Sequence, residues 1–376
     1  PMFEARRPRV ILPKLTPPAF ELRALAEKLG GRRGVIVCGC EEVPTAPVAR
    51  LAEALNVPIL ADPLCGMRFG SHDKSRVFAR YDTFLRAGGF APEWILRFGA
   101  FPLSKPYANW LSGVDCDRIV VSGDSRWPDP KRAAEIMIQA DLEAVALGMA
   151  AEVKACAPDS WVETFRTAEA EAEELIQRLG PPEVAISRAM IDSLPDGSLL
   201  FIGNSMAVRD LDAYSGISGK NITVMANRGV AGIDGLVSTF LGAVASGRYT
   251  KAAALLGDLT FSHDIGGLAS TGLDAVICVL DNGGGMIFQH LPPVNLPKHE
   301  FEKGWYTPPG ADIGAAAAIW GHGHACVETT EFATAFAAAL AEPLTTVVQI
   351  KVDREQSTLG HRALWNAAAH PQLVTA

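Results

Sequence analysis

Two polar segments stand directly behind apolar, strand-like runs. Gly257-Asp258-Leu259-Thr260-Phe261-Ser262-His263-Asp264 follows the run Ala252 to Leu256, and Asp281-Asn282-Gly283-Gly284-Gly285-Met286-Ile287-Phe288 follows Ala275 to Leu280. In an open parallel sheet, ligands bind beyond the carboxyl ends of the strands, so both segments are expected at one edge. A carboxylate from Asp258, an amide oxygen from Asn282 and a backbone carbonyl from Gly284 are hard oxygen donors. Magnesium takes one or two such groups and completes its octahedron with phosphate oxygens. Glycine at 284 permits the unusual backbone path this needs. A helix beginning near Ser262 would turn its N-terminal amides toward a diphosphate. The plainer alternative is that Asp258 caps a helix and the glycines make an ordinary turn.

Two further blocks repeat the arrangement. Gly203-Asn204-Ser205-Met206-Ala207-Val208-Arg209-Asp210 follows the run Ser198 to Ile202, and Asn227-Arg228-Gly229-Val230-Ala231-Gly232-Ile233-Asp234-Gly235 follows Ile222 to Met225. Each carries an arginine, Arg209 or Arg228. The planar guanidinium fork suits bidentate binding of a carboxylate. A surface salt bridge is the alternative for both.

The Asp258 and Asn282 segments together resemble the signature of thiamine-diphosphate enzymes, Gly-Asp-Gly followed downstream by an Asn pair. Leu259 and Asp281 depart from it, standing where the third Gly and the first Asn are usual. In order, the four blocks resemble the 2-succinyl-5-enolpyruvyl-6-hydroxy-3-cyclohexene-1-carboxylate (SEPHCHC) synthase family of menaquinone biosynthesis, whose Gly-Asp-Leu form of the signature accounts for Leu259. The tail Thr358-Leu359-Gly360-His361-Arg362-Ala363-Leu364-Trp365 is similar to the family as well. The match is specific from about 180 to 376 and looser before that.

The resemblance implies a three-domain architecture, of which this chain holds the central and diphosphate-binding domains. The N-terminal pyrimidine-binding domain, with the glutamate that contacts the aminopyrimidine, is read as absent. The fragment alone is therefore expected to be inactive. The implied reaction is a decarboxylating carbon–carbon bond formation between 2-oxoglutarate and isochorismate, that of a transketolase-type transferase. The implied cofactors are thiamine diphosphate and Mg2+ or Mn2+. Asp258, Asn282 and the Gly284 carbonyl would hold the metal. Asn204, Ser205, Met206, Gly232, Leu259 and Thr260 would line the cofactor. Ile233 would be the apolar wedge that bends it, and Ile287 and Phe288 would pack near its thiazolium. Ser205, Arg209 and Arg228 would orient the substrates. The resemblance also implies a cytoplasmic homo-oligomer, a dimer or tetramer. The rival readings are another thiamine-diphosphate 2-oxo-acid decarboxylase or synthase, and a non-catalytic binding module.

The elements that must position these residues alternate. In the first half, helix is expected from Phe20 to Leu29 and Ala49 to Leu55. Strands are expected at Gly34 to Cys38, Val57 to Ala61, Trp94 to Phe98, Arg118 to Val121 and Leu142 to Ala146. One long helix is expected from Asp159 to Leu179. Gly180-Pro181-Pro182 then punctuates the chain. This predicts a Rossmann-like domain over 1–179 and a thiamine-diphosphate-binding domain over 180–376. In the second, strands are expected at Ser198 to Ile202, Ile222 to Met225, Ala252 to Leu256, Ala275 to Leu280 and Thr345 to Val352. Helices are expected to start near Ser205, Gly235, His263, Asp312 and Glu331. The fold class is α/β, with two successive parallel sheets flanked by helices. No GxGxxG follows a strand in the first half, where Cys38-Gly39-Cys40 is a poor substitute, so that domain is read as structural.

Bulk properties limit the partners. At 376 residues, with 48% hydrophobic and 20% charged, the chain can bury more than one core. A net charge of -8 argues against a nucleic-acid footprint. No apolar run is long enough to cross a bilayer. The seven cysteines include no CxxC pair and read as buried free thiols. The Gly-His-Gly-His run ending at His324 reads as a loop before a strand. Pro8, Pro13, Pro17 and Pro18 near the start read as a linker within a longer protein.

Overall fold

The computed structural model describes residues 13–229 and 231–370. Two six-stranded sheets carry the fold, and every pairing is parallel. The first consists of β1 (Gly34–Cys38), β2 (Ile59–Ala61), β3 (Val77–Phe78), β4 (Trp94–Phe98), β5 (Asp117–Ser122) and β6 (Ile136–Gln139), in the order β3-β2-β1-β4-β5-β6. The second consists of β7 (Ser198–Ile202), β8 (Ile222–Met225), β9 (Ala252–Gly257), β10 (Val276–Asp281), β11 (Gly323–Glu328) and β12 (Thr346–Lys351), in the order β11-β12-β10-β9-β7-β8. Central strands such as β1 and β7 are buried along their whole length. That is why they read as unbroken apolar runs rather than alternating ones.

The long helix forms over Asp159–Leu179, as its composition predicts. Trp161 and Phe165 pack into the core of the first sheet, while Ile176 packs with Tyr214 and Leu364 beside the second. Leu142 to Ala146 is helix rather than strand, within Leu142–Glu152. Asp141 caps it by accepting from the Ala144 amide at 2.8 Å, and its Ala, Leu, Met and Glu content favours helix. β3 and β6 have no counterpart in the sequence reading, and β11 is there only as an unbounded strand after the Gly-His-Gly-His run. β3 has two residues, and β11 alternates half-buried and exposed positions, so neither has a long apolar run.

The first sheet has the strand order of dinucleotide-binding folds, with its reversal between β1 and β4. At that reversal the loops are pressed together: a Cβ on Gly39 would collide with the Ala100 carbonyl. The two halves of the chain are joined through Arg68. Its guanidinium, fully buried, donates to the Asp212 carbonyl at 2.6 Å and to the Asp212 carboxylate at 2.5 Å.

No helix among the described residues is long and apolar enough to cross a membrane. The cysteines are free, but Cys156 and Cys326 are exposed, contrary to the expectation that they are buried. The His322–His324 run is part loop and part strand, since β11 begins at Gly323. His322 meets the Leu268 carbonyl and His324 the Gln349 side chain, and no cluster of metal-ligating side chains occurs among the described residues.

Candidate active site

Four strands of the second sheet, β7, β8, β9 and β10, end at one edge, and each is followed by one of the polar blocks. β9 and β10 are neighbours, so the Asp258 and Asn282 loops come together. Asp258 Oδ2 accepts from the amides of Asn282 at 3.2 Å and Gly284 at 2.8 Å, and Oδ1 accepts from the Leu259 amide at 2.7 Å. Asp258 is buried, and this desolvation lifts its carboxyl above the ordinary aspartate range against the pull of those amides. It does not cap a helix: the short helix Asp258–His263 has Gly257 at its N-cap. The helix thus starts at Asp258, and neither His263 nor Ser262 begins it. Leu259 and Thr260 occupy its first turn.

The Asn282 side-chain oxygen is buried and has no hydrogen-bond partner. Such an acceptor is costly unless something electropositive meets it, and a cation beside Asp258 would do so. The residues present therefore fit a divalent metal. The Gly284 carbonyl accepts from Arg354 at 2.6 Å, which leaves its second lone pair for another partner. Gly284 sits at φ +87°, and a Cβ there would lie 2.7 Å from the Thr307 carbonyl oxygen. Asp281, the departure from the Asn pair, turns to Lys351 and to Gln349 at 2.7 Å. These contacts overcome the cost of its burial and hold its carboxyl below the ordinary range.

β7 lies beside β9, and the Gly203 amide donates to the Leu255 carbonyl at 2.8 Å. Ser205, at φ 65° and ψ −132°, holds a backbone conformation rare for a residue with a side chain and starts the helix Met206–Tyr214. Asn204 ties this turn to the next block: its amide donates to the Asn227 and Gly232 carbonyls, each at 2.9 Å, and its oxygen accepts from Arg228. Arg209 donates to the Ser205 carbonyl at 2.5 Å. Neither arginine makes an ion pair among the described residues. The Arg209 guanidinium is held below the ordinary arginine range, first by partial desolvation and then by the charge of Arg228. The two guanidinium groups thus lie near enough for the charge of one to act on the other.

Ile233 is exposed at the same edge, 39% by area. Asp234 meets His263 at 2.7 Å, and Ser238 binds Asp264, so the Ile233 loop is strapped to the Asp258 helix. Met206 and Thr260 are buried, while Ile287 and Phe288 are half-buried in the turn after β10. Phe288 packs against Trp305 with ring centroids 4.8 Å apart. All the expected site residues thus fall on one edge. Arg354, Tyr306 and Trp305 were missed. Arg354 follows β12 as Asp258 follows β9, so the same edge argument could have found it.

No family model matches the chain. A SEPHCHC synthase from Dechloromonas aromatica is 37% identical over 329 residues, covering 85% of this chain and 59% of that protein. The Geobacillus kaustophilus SEPHCHC synthase is 35% identical over 381 residues, covering 97% of this chain and 66% of that protein. The crystal structure of benzoylformate decarboxylase from Polynucleobacter necessarius matches with a TM-score of 0.61 at 16% identity, over 94% of this chain and 68% of that one, a likeness of fold. The chain spans about three fifths to two thirds of the length of these two synthases. With four polar blocks gathered at one sheet edge and this identity along most of its length, the chain belongs to the 2-succinyl-5-enolpyruvyl-6-hydroxy-3-cyclohexene-1-carboxylate synthase family.

Proposed function

We propose that the edge of the second sheet binds thiamine diphosphate with Mg2+ or Mn2+. In the whole protein it would serve the decarboxylating union of 2-oxoglutarate with isochorismate, in cytoplasmic menaquinone biosynthesis. One observation carries the reading: the buried Asp258 carboxylate ties together the loop that presents the unpartnered Asn282 oxygen and the Gly284 carbonyl. Those three groups would hold the cation. When bound, the cofactor supplies the nucleophilic carbon and electron sink that decarboxylation of a 2-oxo acid requires.

The chain's own residues do the rest. Asn204, Ser205, Met206, Gly232, Leu259 and Thr260 line the cofactor. Ile233 would offer it an apolar surface, and Ile287 and Phe288 would keep water from the reacting carbon. Arg209 and Arg228 clamp substrate carboxylates, and the Ser205 hydroxyl orients them. Their mutual repulsion in the free site favours an anion between them.

The first sheet is assigned a structural role, supported by the collision at Gly39 that closes its crevice. The carboxyl group that activates the aminopyrimidine is assigned to the part of the family's length that this chain does not span. Residues 1–376 alone are accordingly expected to lack synthase activity, and the whole protein is expected to work as a homo-oligomer. The test is carbon dioxide release by the complete protein with 2-oxoglutarate or pyruvate, with and without isochorismate. Release from 2-oxoglutarate that depends on isochorismate supports the reading; preference for pyruvate overturns it.

A further inference from the structure

The tail motif Thr358 to Trp365 has no part in the site as described above, yet its helix, Arg354–Ala369, touches three of the site's segments. At its start, Arg354 donates to the Asn282 carbonyl from Nε at 3.0 Å and from a terminal nitrogen at 2.7 Å. It also donates to the Gly284 carbonyl at 2.6 Å. Its guanidinium lies 3.7 Å over the Tyr306 ring. Arg362 donates to the carbonyl of Gln289, the residue after Phe288, at 2.9 Å.

His361 reaches the other half of the site. Its Nε2 is 2.9 Å from the carboxylate of Asp210, the residue after Arg209, and its Nδ1 meets the Ser357 carbonyl at 2.8 Å. His361 and Asp210 are both buried. Burial opposes the charge on His361, but Asp210 outweighs it and raises the imidazole's pKa. Arg354, His361 and Trp365 recur at spacings that lie on one helical face. Trp365 packs edge-on against His290 at 4.8 Å, closing the same interface.

We infer that this helix positions both halves of the site through two separate residues. Arg354 holds the Asn282–Gly284 turn in the path that presents its oxygens to a cation. His361, through Asp210, fixes the first turns of the helix that carries Arg209. Both are positioning residues, and neither touches a reacting atom. The inference rests on the proposed function for the identity of the ligands.

The test uses the complete protein with Arg354→Met, Arg354→Lys and His361→Asn, and with the exposed Glu355→Gln as control. Calorimetry reads thiamine diphosphate affinity in the presence of Mg2+, and steady-state kinetics read KM and kcat for 2-oxoglutarate at saturating cofactor. Arg354→Met should weaken cofactor binding about tenfold, the usual scale for a group supporting a metal ligand, and leave KM unchanged. Arg354→Lys should recover part of the loss. His361→Asn should raise KM about tenfold with cofactor affinity intact, a cost of the same outer-shell kind. Wild-type behaviour of either variant in its own readout overturns the inference. So does a joint loss of both readouts in both variants, which general loosening would give. If the unaltered protein binds no thiamine diphosphate, the functional reading falls and takes this inference with it.

Discussion

Asp258 accepts a hydrogen bond from the Gly284 amide at 2.8 Å, so a carboxylate behind one strand fixes the turn behind the next. The bond makes two separate segments one ligand-binding unit. Asp258→Asn would place an amide NH2 against backbone donors. Stability should fall by about 1–3 kcal/mol, the cost of unsatisfied buried groups. Metal-dependent binding of thiamine diphosphate should be lost in the same variant. Urea unfolding and a calorimetric titration check both; an unchanged unfolding midpoint contradicts this geometry.

Arg209 and Arg228 are expected to act on substrate rather than on the fold, since neither forms an ion pair among the described residues. Replacing either by Ala in the complete protein should cost about 1–3 kcal/mol in kcat/KM for 2-oxoglutarate or isochorismate. Lys should recover only part, because the bidentate fork is lost. Kinetics with each substrate varied in turn check this. Loss of stability without loss of kcat/KM would return both residues to a structural role.

Arg68 and Asp212 bolt the first sheet to the helix that carries Arg209, with both side chains buried. Arg68→Met should lower stability by about 3–5 kcal/mol, because Asp212 is left as an unpaired buried charge. The double variant Arg68→Met/Asp212→Leu should regain most of that. Equilibrium unfolding of the single and double variants decides; equal losses in both would show that packing, not charge, is at stake.

His290 gives the protein an acid-sensitive point. Burial first, then the charges of His361, Arg362 and Arg86, lower its pKa to about 3, and neither ring nitrogen has a partner. The unfolded chain binds this proton near pH 6.5, so stability is complete above that value and falls as pH drops toward 3. At pH 5 the loss from this group is about 2 kcal/mol. His290→Phe keeps the packing against Trp365 and should shrink the drop in Tm between pH 7.5 and pH 5. An undiminished drop would mean that His290 is not its source.

Much of the second sheet was legible because each polar block follows an apolar run, and a parallel sheet sends all such blocks to one edge. The sequence alone therefore groups Asp258, Asn282, Ser205 and Arg228. Leu142 to Ala146, an apolar run without clear periodicity, fits either element; the Asp141 cap and the helix-favouring residues that follow make it helix. β3 and β6 are too short or too weakly apolar to stand out. The supports were hidden for another reason. His361 and Arg68 act across 151 and 144 positions of sequence, and nothing in their local composition marks their partners.

Titration of the complete protein with thiamine diphosphate, once with Mg2+ and once after chelation with EDTA, decides whether Asp258 and Asn282 form a metal-dependent cofactor site. Saturable binding is expected with Mg2+ and is expected to disappear on chelation and in the Asp258→Asn variant. Binding of equal strength with and without the metal, or its survival in that variant, would contradict such a site.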